Sequence, residues 1–212
     1  MTSTDTTSET RSLHLATGFA IVAAGVIGLD WLMLGDGGSL TREGGSVETM
    51  SMLGYIYALV IYLWRARPVF WPVPVILLFM AAREGDLDKA LTSEGILSTK
   101  ILLYDTALWE KSLAVAIWVL LIAALITLAR YRAPLLWRDL RRGAPWALLF
   151  LAGLFIAAFS KTIDGLGRKL GTFGVEVATE VVQGSGIIEE TLELLIPILF
   201  VMAICLRTRK PT

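Results

Sequence analysis

The chain has 212 residues, 55% of them hydrophobic, and its 19 basic residues balance its 19 acidic ones. A formal net charge of zero removes any general attraction to polyanions, so nucleic acid is not an expected partner. The single cysteine, Cys205, excludes an intrachain disulfide.

A helix that crosses a membrane needs about 20 mostly apolar residues to cover about 30 Å of hydrocarbon. The apolar blocks predict six such helices, near 13–34, 48–66, 69–88, 109–130, 145–165 and 186–206. The expected fold is an all-α, polytopic membrane helix bundle with six transmembrane helices. One domain would cover 13–206, between a disordered tail over 1–12 and a short tail over 207–212. The start, Met1–Arg11, is rich in Ser and Thr. It lacks the basic region of a secretory signal, and no A-x-A site follows the first apolar block, so the first helix is expected to be retained. His14 falls at the inner end of that helix, as an interfacial residue. Pro68, Pro72 and Pro74 crowd the start of the third helix, where proline costs little.

Three connections are more than tight turns. Lys89–Leu108 sets Ile96, Leu97, Ile101, Leu102 and Leu103 among polar residues, which suits an outer interfacial helix or a re-entrant segment. Ala133–Arg142 reads APLLWRDLRR and is expected to lie on the membrane surface as an electrostatic anchor. Gly165–Gly186 is glycine-rich. Its GLGRKLG string follows no strand, so a flexible connection is expected rather than a phosphate loop.

Orientation follows from Lys and Arg in short loops. Arg65 and Arg67, then Arg130, Arg132, Arg138, Arg141 and Arg142, then Arg207, Arg209 and Lys210 share one side of a six-pass chain. That side is taken as cytoplasmic and carries both termini. Of the 19 carboxylates, all but Asp5, Glu9 and Asp139 fall toward the opposite side. Trp64, Trp71 and Trp146 mark the inner interface and Trp31 and Trp109 the outer one, while Trp118 is mid-helix and is expected to pack between helices.

Several acids lie inside the apolar segments, where ionisable groups are costly and need partners. Counted along the last helix from Leu206, Glu193 lies roughly 20 Å in. Glu189 and Glu190 lie about one turn further out, at i,i+4 and i,i+3 from Glu193. Like charges this close call for a cation or a proton. Arg83, Glu84 and Asp88 on the third helix, and Lys161 and Asp164 on the fifth, reach matching depth; the first and fourth helices could add Asp30 and Glu110. The candidate ligand- or ion-binding residues are therefore Glu84, Asp88, Asp164, Glu189, Glu190 and Glu193, with Arg83 and Lys161 as charge partners. Carboxylates alone suit Mg²⁺, Ca²⁺ or Mn²⁺, and the lone histidine, His14, is misplaced for zinc.

Motif comparisons narrow the chemistry. Arg83-Glu84-Gly85 resembles the start of the R-E-G-L-E motif of iron permeases, but Leu87 stands where that motif has its second carboxylate. Membrane-embedded prenyl proteases and ceramidase-like hydrolases need histidines that are absent here. Ser160 and Lys161 could form a nucleophilic dyad, but neighbouring helical residues point about 100° apart. Three strings carry a closer likeness: Ala82-Arg83-Glu84-Gly85-Asp86-Leu87-Asp88-Lys89, Ser160-Lys161-Thr162-Ile163-Asp164 and Glu189-Glu190-Thr191-Leu192-Glu193-Leu194. Together they fit an A-R-E-x-D-x-x-K, S-K-x-x-D, E-E-x-x-E-L pattern that resembles a group of uncharacterised bacterial multi-pass inner-membrane proteins. The resemblance implies a bacterial inner membrane and brings no activity.

The preferred expectation is a non-enzymatic protein with a periplasm-facing charged site for a cation, a proton or a small polar solute, as in a transporter. One alternative is an enzyme acting on a lipid or lipid-linked substrate at the outer leaflet, with a lipid headgroup as partner. The other is an assembly subunit whose charged layer is a salt-bridge clamp.

Overall fold

The computed structural model describes residues 3–34, 45–163, 169 and 179–208. Its regular structure is helical: α1 (Ser3–Leu34), α2 (Ser46–Arg65), α3 (Pro72–Glu84), α4 (Leu87–Leu91), α5 (Lys100–Leu103), α6 (Leu108–Arg141), α7 (Pro145–Ile163) and α8 (Thr179–Arg207). Among the described residues there is no strand. By length and composition, four stretches suit a membrane crossing: His14–Met33, Ser46–Arg65, Leu108–Arg141 and Pro145–Ile163. These helices make the chain compatible with a membrane protein.

Two of the expected spans differ from that picture. α3 has 13 residues and covers about 20 Å, short of the hydrocarbon thickness. The helix expected over 69–88 stops early because Asp86 adopts the left-handed conformation at φ 47°, which aspartate tolerates better than most residues. α8 has length enough, at 29 residues, but carries Glu189, Glu190 and Glu193 within it.

Helix limits also shift elsewhere. α1 is described from Ser3 rather than from 13, so the Ser/Thr-rich start continues the helical backbone. α6 does not end at 130 but runs through Pro134 to Arg141, so the APLLWRDLRR stretch continues this helix instead of forming a separate surface segment. A proline removes one ladder bond, here to the carbonyl of Arg130, whose exposed position offers other partners. Gly143, at φ 68°, ends the helix, with the Ala144 N–H donating to Asp139 C=O at 3.0 Å.

α8 is the central element, packed most broadly on α7 and α2; α3 lies on the other flank of α2, and α6 is peripheral. The α7–α8 pair is antiparallel and in heptad register. Trp146, Gly153 and Ser160 are spaced by seven residues on α7, and each meets one of Arg207, Phe200 and Glu193, equally spaced on α8. Gly153 sits where a Cβ would come within 2.7 Å of the Phe200 ring, so the helices approach closely there. α2 runs parallel to α8. A Cβ at Gly54 would meet Pro197 at 2.9 Å, and Tyr55 lies tilted against Phe200 with ring centroids 6.5 Å apart. α1 joins through Phe19, stacked on Tyr57 at 5.4 Å, and through Tyr57 Oη–H donating to Leu15 C=O at 3.3 Å.

The segment between α4 and α6 turns back along α6. Ile96 and Ile101 are buried against Ala114, next to Ile117. Trp118 Nε1–H donates to Ile96 C=O at 2.9 Å, and Ser93 Oγ–H to Glu110 Oε2 at 2.7 Å. Trp118 lies roughly 15 Å along α6 from its start, so irregular backbone reaches well down the helix. Such backbone is tolerated at depth where protein covers it, and its buried isoleucines provide that cover.

Candidate functional site

Glu193 is the centre of the charged layer. Arg83 Nη2 stands 3.7 Å from its Oε1, Lys161 Nζ 3.6 Å from the same oxygen, and Ser160 Oγ–H donates to it at 3.4 Å. The carboxylate side chain is 14% exposed, while Arg83 and Lys161 are 40% and 43% exposed. A largely buried acid is thus met by two cations whose ends retain contact with the surroundings. This arrangement limits the desolvation cost of the pairs.

Each partner is placed by its helix end. Ser160 and Lys161 lie in the last turn of α7, where Lys169 Nζ donates to the carbonyls of Lys161 at 3.0 Å and Thr162 at 3.4 Å. A cation on the final carbonyls is the favourable end for the helix dipole. The two adjacent side chains both turn to Glu193 Oε1. Arg83 and Glu84 close α3, and Glu84 is 7% exposed.

Glu84 and Glu190 each feel the charge of Glu193, Glu84 acts on Glu190, and Arg83 and Lys161 act on Glu84. Glu189 is half-buried beside Glu190 and acts on it. The expected convergence of α3, α7 and α8 is therefore present for Arg83, Glu84, Lys161, Glu190 and Glu193. Asp164 lies outside the described residues, as does the side chain of Asp88. Glu110 of α6 does not join the cluster; it accepts from Ser93 and anchors the returning segment. Among the described residues no group of three His, Cys, Asp or Glu side chains is placed to hold a metal ion. A cage of Glu84, Glu190 and Glu193 around Mg²⁺, Ca²⁺ or Mn²⁺ is therefore not what this geometry offers.

α2 supplies residues that sequence reasoning passed over. Glu48, Ser51, Met52 and Tyr55 form an i, i+3, i+4, i+7 stripe. Glu48 acts electrostatically on Glu84 and Glu190. Tyr55 is fully buried and lies in the field of Glu84, Glu193 and Arg83. Ser51 Oγ is buried with no hydrogen-bond partner among the described residues. From the Gly54–Pro197 contact, the parallel register sets Ser51 at about the level of Glu193, with Glu48 and Glu190 one turn further out. The stripe spacing was the available signal; it was missed because Glu48 stands at a helix start and Tyr55 and Ser51 are neutral.

Pro197 adds a further acceptor. It has no N–H, so the helix ladder provides no i+4 donor to the carbonyl of Glu193. No protein-family model matches the chain, and no curated protein or solved structure does either.

Proposed function

We propose that this chain is an integral protein of the bacterial inner membrane, with six crossings and both ends cytoplasmic. In this reading, the Glu193 cluster is a periplasm-facing site that binds and passes a proton or a small cation. One observation carries the reading: Arg83, Lys161 and Ser160 converge on one oxygen of Glu193 while Glu84 and Glu190 stay in its field. Among the described residues, two cations stand against that group of three carboxylates. In a poorly hydrated bundle such an imbalance favours uptake of a positive charge. Ser51 Oγ and the Glu193 carbonyl add oxygen acceptors at the same level, as interrupted helices do in transporter sites. The orientation rests on the arginines that flank α6 and α8 and on the carboxylates at the opposite end.

The test is flux into proteoliposomes, read with a pH-sensitive dye under an imposed proton gradient and, separately, with a sodium-sensitive dye under a sodium gradient. The wild type is expected to collapse one gradient, and Glu193→Gln to lose that activity with its helicity retained. Equal flux in wild type, Glu193→Gln and protein-free vesicles rejects the proposal. The structural-clamp reading draws on the same three contacts. It gains if Glu193→Gln only lowers thermal stability.

A further inference from the structure

The opposite end of the α7–α8 seam holds a second polar cluster that the Glu193 site does not use. Arg207, in the last turn of α8, lies over the Trp146 ring, 4.1 Å from its centroid. Arg132 of α6 lies over Phe70 at 4.4 Å. Arg132 and Arg138 both repel Arg207, and Asp139 and Tyr62 act on it with the opposite sign. The Phe70 N–H donates to Tyr62 Oη at 3.1 Å, which ties the α2–α3 connection to the same place. Parts of α2, α6, α7 and α8 therefore gather around three arginines.

Among the described residues, Asp139 is the one acid that acts on Arg207. Asp139 is the one acid between Lys111 and Ile163, and Arg138 Nε already engages its Oδ1 at 3.1 Å. Ring faces steady Arg132 and Arg207 but supply no full negative charge. About two to three turns back along α6 from Arg132, Ile122, Leu125 and Ile126 are exposed apolar side chains. An anion held at Arg132 with a hydrocarbon tail would lay that tail along this face.

We infer that Arg132, Arg138 and Arg207 form a binding site for the phosphate headgroup of an anionic phospholipid, with its acyl chains against the Ile122–Ile126 face of α6. The arginine fork suits a phosphodiester, and the adjoining apolar face favours a lipid over a soluble phosphate.

Native mass spectrometry of the detergent-solubilised full chain tests this with equal amounts of phosphatidylglycerol and phosphatidylcholine. Wild type is expected to retain phosphatidylglycerol preferentially. Arg132→Gln with Arg207→Gln should weaken that retention roughly thirtyfold, about fivefold per arginine. Arg142→Gln, on the same exposed stretch outside the cluster, should change it less than about twofold. Equal retention of the two lipids in wild type overturns the inference, as does a loss in Arg142→Gln that matches the double variant. Displacement of the lipid by millimolar inorganic phosphate also overturns it, by assigning the site to a soluble anion. If the double variant does not fold, the wild-type lipid competition decides alone.

Discussion

At one end of the α7–α8 seam, Glu193 draws Arg83, Lys161 and Ser160 onto a single oxygen. At the other end, Arg207 rests on Trp146, and Arg132 on Phe70. The acid end withdraws a carboxylate from its surroundings and compensates it with side chains from two other helices. The arginine end supports its cations on aromatic faces. The difference follows from side-chain reach. A glutamate inside a helix cannot extend far, so partners must come to it, whereas long arginine stems reach outward and lie along rings on the way. Between the two ends stands Gly153 against Phe200, seven residues from each.

That middle contact is where the comparison breaks most severely. Gly153→Leu places a branched side chain where even a Cβ would be 2.7 Å from the Phe200 ring. It is expected to destabilise the protein by about 3 kcal/mol and to loosen both ends together. Thermal unfolding in detergent measures the first effect. Parallel losses of vesicle flux and of lipid retention measure the second; a loss at one end alone would show that the ends are not coupled through the seam.

Glu193→Gln comes next. Its cost is expected at about 1–2 kcal/mol, because both cations are more than a third exposed and can rehydrate when the acid charge is lost. A double-mutant cycle with Arg83→Gln sharpens the point. If the pair is a genuine interaction, the double variant recovers part of the single-variant loss. Strict additivity of the two single losses would remove Arg83 from the cluster.

Trp118→Phe removes the bond to Ile96 C=O, made at 2.9 Å, and should cost about 1 kcal/mol. Hydrogen exchange should accelerate over residues 92–106 and nowhere else. Unchanged protection there would mean that the buried Ile96 and Ile101 hold the segment by themselves. The smallest effect is expected from Asp139→Asn. Its bond with the neighbouring Arg138 is exposed, so stability should move by less than about 0.5 kcal/mol. A larger loss would show that Asp139 is needed to offset the gathered arginines.

Much of this was legible in the residue pattern. The apolar runs of α1, α2, α6 and α7 are long enough to cross a membrane, and reading them needs no tertiary information. The spacing of Glu190 and Glu193, with Arg83 and Lys161 at matching depth, pointed to a shared layer. Three features were not legible. Asp86 ends α3 through a backbone conformation that aspartate only permits, and does not demand. The helix expected to end at 130 continues through Pro134 to Arg141, and neither hydropathy nor the proline marked that continuation. Tyr55 and Ser51 carry no formal charge, so nothing marked them until α2 was laid against α8.

The sequence alone therefore determined that the chain is helical and which stretches are apolar enough to cross a membrane. Hydropathy and helical rise are local, one-dimensional properties, and they fix depth along an axis. Tertiary structure decided which side chains meet at a given depth. The heptad match of Trp146, Gly153 and Ser160 with Arg207, Phe200 and Glu193, and the parallel seating of Gly54 on Pro197, depend on rotation of one helix about another. Rotation is set by close packing between partners, which no single segment encodes by itself.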